Sequence, residues 1–398
     1  MIAESMRNLV NNGATIRAMF EEGQKLAEIY GAQNVYDFSL GNPSVETPQE
    51  IKGLIKEILE EEKPNVIHGY MNNAGYDDVR GAIAAYINEK HHTAVSKDNI
   101  LMTCGAAGGL NVILKTLLEK DDEVIVFAPF FGEYKNYIEN YDGKIVIAET
   151  DKETFLPDVK QLAALITEKT KAVIINSPNN PTGAIYGEDT IKDLAQVLLN
   201  KEKELGKDIY LIADEPYREI VYDGTEVPYV INYYHNSFVA YSYSKSLSLP
   251  GERIGYIVVA DNMNEKEIVF SALAVANRVL GFVNAPSLFQ KVIAKSLNLE
   301  VDVNIYQKNR DILYKHFKKI GLECQKPAGA FYLFPKSPID DVEFCEIAKK
   351  YNILVVPGSV FGMKGYFRVA YCVSEETVTN SLAAFERLMD EINTRKQL

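Results

Sequence analysis

The residue best placed for chemistry is Lys245, in the stretch Tyr241-Ser-Tyr-Ser-Lys-Ser-Leu-Ser-Leu-Pro-Gly-Glu-Arg253. It comes straight after the apolar run Phe238–Tyr241, and Arg253 stands eight residues further on. Lysine is normally solvated, whereas α/β sheets bind ligands at the carboxyl ends of their strands. The surrounding serines supply hydroxyl donors suited to a phosphate, although the same composition also describes a flexible serine-rich loop. Asp214 closes a second apolar run, in Ile209-Tyr-Leu-Ile-Ala-Asp-Glu-Pro-Tyr217. A carboxylate there is costly to bury without a cation, and Tyr217, three residues on, is within reach of the same ligand. A helix cap, or an acidic metal-binding pair with Glu215, is the alternative. Ser177-Pro-Asn-Asn-Pro-Thr-Gly183 also follows an apolar run and, taken alone, is an ordinary turn.

Two further segments are of this kind. Met102-Thr-Cys-Gly-Ala-Ala-Gly-Gly-Leu110 reads as strand, turn and helix. Its small residues either let backbone N–H groups approach an anion at a helix N-terminus or simply allow tight packing. Arg368 lies inside the apolar Tyr366-Phe-Arg-Val-Ala-Tyr371 and needs a partner there. A bidentate carboxylate, from a ligand or from a structural salt bridge, suits its guanidinium.

In chain order, Asn-Pro-Thr-Gly ending at Gly183, Asp-Glu-Pro-Tyr ending at Tyr217, and Ser-x-x-Lys from Ser242 to Lys245 with Arg253 beyond resemble one family. It is the class I/II aminotransferases, fold-type I pyridoxal-phosphate (PLP) enzymes similar to aspartate aminotransferase. The resemblance runs from about Gly41 to the C-terminus. Each motif is modestly specific, and their order and spacing are highly so.

The resemblance implies the following roles. Lys245 forms the internal aldimine with PLP and later carries the proton between the substrate Cα and cofactor C4′. Asp214 pairs with the pyridinium nitrogen and keeps it protonated. Tyr217 and Asn180 hydrogen-bond the 3-oxygen of the ring. Ser242 and Arg253 hold the phosphate, with backbone contacts from Gly105, Ala106 and Ala107; relatives often carry a hydroxyl or lysine side chain near the third of these. Phe131, in Pro129-Phe-Phe-Gly-Glu-Tyr134, stacks on the ring where relatives often have Trp or Tyr, an ordinary core aromatic at helical spacing being the alternative. Gly41, Asn180 and Arg368 bind substrate, Arg368 taking the α-carboxylate. Tyr70, in His68-Gly-Tyr-Met-Asn-Asn-Ala-Gly75, reaches the phosphate of the neighbouring subunit, which makes the enzyme a homodimer with shared sites.

Substrate choice is less determined. Dicarboxylate-specific relatives use a second arginine across the dimer, and Arg278 lies about one residue off that register; an ordinary arginine on a helix surface is the alternative. The first expectation is aspartate with 2-oxoglutarate. A broad neutral or aromatic transaminase and a PLP-dependent C–S β-lyase are the other readings, because a fold does not decide its reaction.

These residues need a scaffold of strand ends. Seven short apolar runs read as strands: Ile100–Cys104, Glu123–Ala128, Lys144–Ala148, Ala172–Asn176, Tyr210–Ala213, Phe238–Tyr241 and Ile254–Ala260. Helical periodicity lies between several of them, at Ala107–Glu119, Phe131–Tyr141, Asp158–Lys169 and Asp189–Glu204. That pattern predicts an α/β domain with a mostly parallel seven-stranded sheet. The C-terminal third predicts a smaller α+β unit: a long helical stretch over Ala285–Ile320, strands at Ala330–Phe334 and Tyr366–Val373, and helices at Val342–Tyr351 and Glu375–Asn393. The helical Ala14–Tyr30 and the apolar Asp37–Leu40 are too few residues to fold alone and are expected to join it. The expected division is a large domain over 46–290 and a small one from 1–45 and 291–398.

Composition argues against two classes of partner. The net charge is −13 over 398 residues, with the basic residues scattered, which argues against a nucleic-acid or anionic-membrane surface. No apolar run approaches the roughly 20 residues of a membrane helix. The N-terminus lacks the apolar core of a signal peptide. Four cysteines without a CxxC fit a reducing cytoplasm and give no zinc site, and no metal is expected. The pair His91–His92 is expected at the surface.

Overall fold

The computed structural model describes residues 2–12 and 15–397. Seven strands form one sheet: β1 (Ile100–Thr103), β2 (Glu123–Ala128), β3 (Lys144–Glu149), β4 (Thr170–Asn176), β5 (Tyr210–Asp214), β6 (Ser237–Ser242) and β7 (Gly255–Val259). Their spatial order is β1-β7-β6-β5-β4-β2-β3. β2 to β6 are mutually parallel, and β7 runs antiparallel to both β6 and β1. This is the expected mostly parallel sheet of an α/β protein. Runs such as Val124-Ile-Val126, Val173-Ile-Ile175 and Ile257-Val-Val259 are buried throughout, as strands covered on both faces must be.

The reversal of β7 has a consequence for position. Thr103 and Ser242 are both register partners of Gly255. The turn after β1, the segment after β6 and the residue before β7 therefore meet at one sheet end. Next along that end, Asp214 pairs with Ala240 on one side and Asn176 on the other.

A second apolar core gathers Met19, Val35 and Phe38 with residues from Val301 to Ile392. Tyr36–Asp37 pairs in parallel with Ile353–Leu354, and Tyr332–Leu333, Phe367–Ala370 and Val356–Pro357 form a small antiparallel sheet. Tyr217, Ile220 and Tyr222, just beyond β5, also pack into this core. Tyr217, three residues after Asp214, thus belongs to the second core although it follows a strand of the large sheet.

The single helical stretch expected over Ala285–Ile320 is two helices, Ser287–Ser296 and Asn304–Lys319. They serve different cores: Val292 and Ile293 pack with the large sheet, Leu313 and Phe317 with the second core. One helical period cannot face both, so the chain breaks at Leu297-Asn-Leu-Glu-Val-Asp-Val303. The Asp302 carboxylate accepts the backbone N–H of Asn304 at 3.0 Å and starts the second helix. The helix expected from Phe131 spans Glu133–Glu139, which leaves Phe131 ahead of it. Asp158 caps Val159–Leu165 by accepting from the backbone of Lys160 and Gln161, so it precedes that helix. Of the pair expected at the surface only His92 is exposed. His91 is half-buried and stacks on Tyr229 with ring centroids 4.3 Å apart, and burial holds its pKa down at about 3.

Candidate active site

Lys245 sits in the single turn Tyr243–Ser246 that follows β6, and Ser242 caps that turn by accepting the Ser244 backbone N–H. The lysine is half-buried, and its Nζ donates to the Gly41 carbonyl at 2.7 Å. Burial, aided by the positive charges of Arg368 and Arg253, holds its pKa down at about 8. A lowered pKa leaves part of this amine neutral near physiological pH, which suits it to nucleophilic attack and proton transfer.

Asp214, at the end of β5, is 5% exposed. Its Oδ2 accepts the Tyr134 hydroxyl at 2.6 Å, while Oδ1 is buried with no partner. Burial pushes its pKa up to about 7, and Glu215 adds to the rise. A buried, unpartnered carboxylate oxygen is costly to leave in place, and a cationic N–H seated on Oδ1 would relieve the cost. Glu215 is no co-ligand, because its carboxylate is bonded to Arg218 Nε at 2.5 Å in a separate buried pair.

Asn176 links this strand to the next segment. Its Nδ2 donates to the Asp214 carbonyl at 2.8 Å, and its Oδ1 accepts the backbone N–H of Asn180 at 2.7 Å. Asn180 Oδ1 in turn accepts from Arg368 Nη1 at 3.0 Å. Arg368 also donates through Nη2 to the Ser39 carbonyl at 2.6 Å, and its Nε is buried without a partner. The guanidinium lies between the rings of Tyr332 and Phe361, 4.7 and 4.8 Å from their centroids. It is only 3% exposed, and no acidic side chain among the described residues pairs with it. The structural salt bridge that the sequence left open is absent among those residues. A buried guanidinium short of an anion suits a carboxylate ligand.

At the meeting of β1, β6 and β7, Gly105 begins the helix Gly105–Leu117 with φ +71°, and an added Cβ would come within 2.9 Å of Arg253 Nη2. Only glycine lets the backbone lie so close to that guanidinium in this conformation. Ala106 and Ala107 follow in the first turn, where backbone N–H groups have no intrahelical acceptor. Arg253 is exposed, with Nη1 donating to the Pro250 carbonyl at 3.0 Å. Ser242 Oγ is 2.6 Å from Ser244 Oγ. Together these groups could hold an anion. Phe131 is half-buried and meets the Tyr134 ring edge-on at 5.7 Å.

Residues 33–385 match the family model for aminotransferase class I and II. The chain belongs to the class I and II aminotransferases. A probable aspartate aminotransferase of Methanocaldococcus jannaschii is 31% identical over 89% of this chain and 93% of that protein. Among solved structures, an aminotransferase from Eubacterium rectale is 46% identical with TM-score 0.96, covering 98% of this chain and 99% of that one. Thermus thermophilus aspartate aminotransferase with maleate is 25% identical with TM-score 0.86, covering 98% and 100%.

Two expected residues of this aminotransferase lie apart from the rest. Tyr70 is 94% exposed, and no hydrogen bond among the described residues engages its hydroxyl. Arg278 is exposed in the last turn of the helix Lys266–Val279, its side chain likewise without a partner among the described residues. Their neighbourhoods are nevertheless stitched together. Asn73 Nδ2 donates to the Val283 carbonyl at 3.0 Å, Asn277 Nδ2 to the Asn73 carbonyl at 3.2 Å and Asn284 Nδ2 to the Asn72 carbonyl at 2.7 Å. An open pocket lies between Tyr70 and Phe282.

Sequence reasoning missed four residues of this aminotransferase. Tyr134 stands three residues after Phe131 in sequence, and that spacing was the available signal. Asn176 ends β4 as Asp214 ends β5. Tyr332 bonds Tyr217, hydroxyl to hydroxyl, at 2.8 Å. Cys372 is buried with its Sγ 3.7 Å from the Leu40 carbonyl, and burial pushes its thiol up to about 12. Nothing in the local sequence marks the last two.

Proposed function

We propose that this aminotransferase exchanges the amino group of aspartate with 2-oxoglutarate, using PLP held on Lys245, as a cytoplasmic homodimer. The observation that carries the reading is Arg368: a buried guanidinium without a counter-anion, joined through Asn180 to the segment that holds Asp214. The residues present fit the cofactor. The orphan Oδ1 of Asp214 suits a protonated ring nitrogen, the cradle of Gly105, Ala106, Ala107, Ser242 and Arg253 suits a phosphate, and Lys245 has the lowered pKa that an amine nucleophile needs. PLP, when bound, supplies an electron-withdrawing ring that stabilises negative charge at the amino-acid Cα.

The chain's own groups do the rest. Arg368 binds the α-carboxylate and, with Asn180 and Gly41 beside it, fixes the substrate so that its Cα–H faces Lys245. Lys245 Nζ takes that proton and returns it on the other side of the exchange. With PLP bound, Tyr217 would offer its hydroxyl to the ring oxygen and Phe131 would cover the ring. The second core, to which Tyr217 belongs, keeps water from these charges. The cysteine usage, four residues with no CxxC spacing, supports a reducing cytoplasmic setting. The test is a panel of amino acids scored by the loss of the cofactor's visible absorbance. Aspartate and glutamate should react fastest. Preference for phenylalanine would overturn the substrate, and pyruvate release without an oxo-acid acceptor would overturn transamination in favour of elimination.

Dicarboxylate selection is assigned to Arg278 acting across the dimer. A charge-assisted contact in a dry site contributes about 1.5–3 kcal/mol, so Arg278→Ala should lower kcat/KM for aspartate by roughly 10- to 150-fold. Phenylalanine should be unaffected or improved. An equal change for both substrates would make Arg278 structural.

The exposure of Tyr70 supports its use by a partner subunit. Mixing Lys245→Ala and Tyr70→Phe subunits should create one site with both native groups. Activity should then exceed that of either parent homodimer. No recovery after confirmed subunit exchange, with Tyr70→Phe itself impaired, would return Tyr70 to its own subunit or place it outside the site.

A further inference from the structure

Tyr332 is 1% exposed and sits between two of the groups assigned above. Its register partner is Ala370, two residues from Arg368 on the same strand. The two side chains are therefore diagonal neighbours on one face of the small sheet. The Arg368 guanidinium lies 4.7 Å from the Tyr332 ring centroid, and the Tyr332 hydroxyl lies 2.8 Å from that of Tyr217. The backbone on which Lys245 rests is pressed against the same hydroxyl. A Cβ at Gly41 would lie 2.1 Å from Tyr332 Oη, so only glycine fits there. One side chain thus touches the tyrosine facing the cofactor, the carboxylate-binding arginine and the segment that accepts the lysine's hydrogen bond.

We propose that Tyr332 is a positioning residue: its hydroxyl strengthens the hydrogen bond that Tyr217 gives to the cofactor ring oxygen, and its ring face holds Arg368 for the substrate carboxylate. This rests on the roles of Lys245, Tyr217 and Arg368 given above. The direction of the hydroxyl pair follows from counting hydrogens. A phenol has one to give. With the Tyr217 hydrogen directed to the ring oxygen, as proposed above, the 2.8 Å contact is made by the Tyr332 hydroxyl donating to the Tyr217 oxygen. Successive hydrogen bonds polarise one another by roughly 10–30% each. The other titratable groups facing this pair are Arg368, Cys372 and Asp214. Burial pushes Cys372 up to about 12, so its thiol supplies no competing titration below pH 8.

Two variants of the holoenzyme separate the hydroxyl from the ring. Borohydride fixation of the cofactor on Lys245 reports the underlying reading independently; failure in the wild type would sink that reading rather than the role of Tyr332. With fixation intact, the pH midpoint of the visible absorbance change reports the linkage nitrogen. A stronger Tyr217 donor favours the anionic ring oxygen that persists once that nitrogen loses its proton. Tyr332→Phe should therefore raise the midpoint by about 0.5 unit, in the same direction as Tyr217→Phe and by less. Its dissociation constant for 2-methylaspartate, which has no Cα proton to lose, should stay within about twofold because the ring face remains. If the panel selects aromatic substrates, 2-methylphenylalanine replaces it. Tyr332→Leu removes the face as well and should weaken that binding by about 5- to 30-fold. An unchanged midpoint in Tyr332→Phe, or unchanged binding in a folded Tyr332→Leu, overturns the proposal.

Discussion

Replacing Lys245 by alanine is expected to lower turnover by roughly 10⁴-fold or more, because one amine both carries the cofactor and moves the substrate proton. Its placement leaves no substitute. Among the groups described here, Lys245 Nζ is the amine bonded to the Gly41 carbonyl, at 2.7 Å, and the one whose pKa burial holds at about 8. The variant should still bind PLP through the cradle around Gly105 and Arg253, but without covalent linkage. Borohydride reduction followed by peptide mapping of the wild type checks the assignment. A label on any other lysine, or appreciable turnover by the alanine variant, would falsify it. Its folded stability should change little, since the side chain is only half-buried and makes one hydrogen bond.

The second large effect is expected at Asp214. Asp214→Ala should retain PLP yet lose about 10²–10³-fold in kcat, the range found when a preorganised electrostatic partner is removed. Asp214→Glu should retain more. The loss falls on the chemical step because the carboxylate matters most as negative charge grows at Cα. Near-normal turnover in the alanine variant would mean that the cofactor nitrogen does not face Oδ1. A pH effect accompanies this in ligand-free protein. Burial raises the folded pKa of Asp214 from 3.8 to about 7, so the folded state keeps its proton longer than the unfolded chain. The stability this contributes is full below about pH 4 and is lost as pH rises through about 7. Thermal unfolding of ligand-free wild type and Asp214→Asn across that window should differ by this component. Parallel pH profiles would show that Oδ1 already has a partner.

Asp214 ends an apolar run, and a carboxylate there stands out against its neighbours. Tyr134 is an aromatic at helical spacing, a pattern shared by core residues everywhere. Only the approach of the segment after β2 to the end of β5 makes its hydroxyl the partner of Oδ2.

The sequence by itself determined the seven strands, the mostly parallel sheet and the strand ends at which Asn180, Asp214, Ser242 and Lys245 stand. Those features are local: β-branched runs, turn residues and motif spacing persist in any window of the chain. It also marked Arg368 as a charge in an apolar strand. Only tertiary structure decided that no acidic side chain among the described residues meets that charge, since a missing partner is a property of the whole surrounding shell. The same holds for the split of Ala285–Ile320 into two helices, where one continuous period had to be divided between two cores. It holds most clearly for the pair of Tyr217 and Tyr332, hydroxyls 2.8 Å apart and 115 residues apart in sequence. No local pattern encodes that distance. The docking of the small antiparallel sheet against the end of the large one creates it, because burying two phenols together requires each hydroxyl to find a partner.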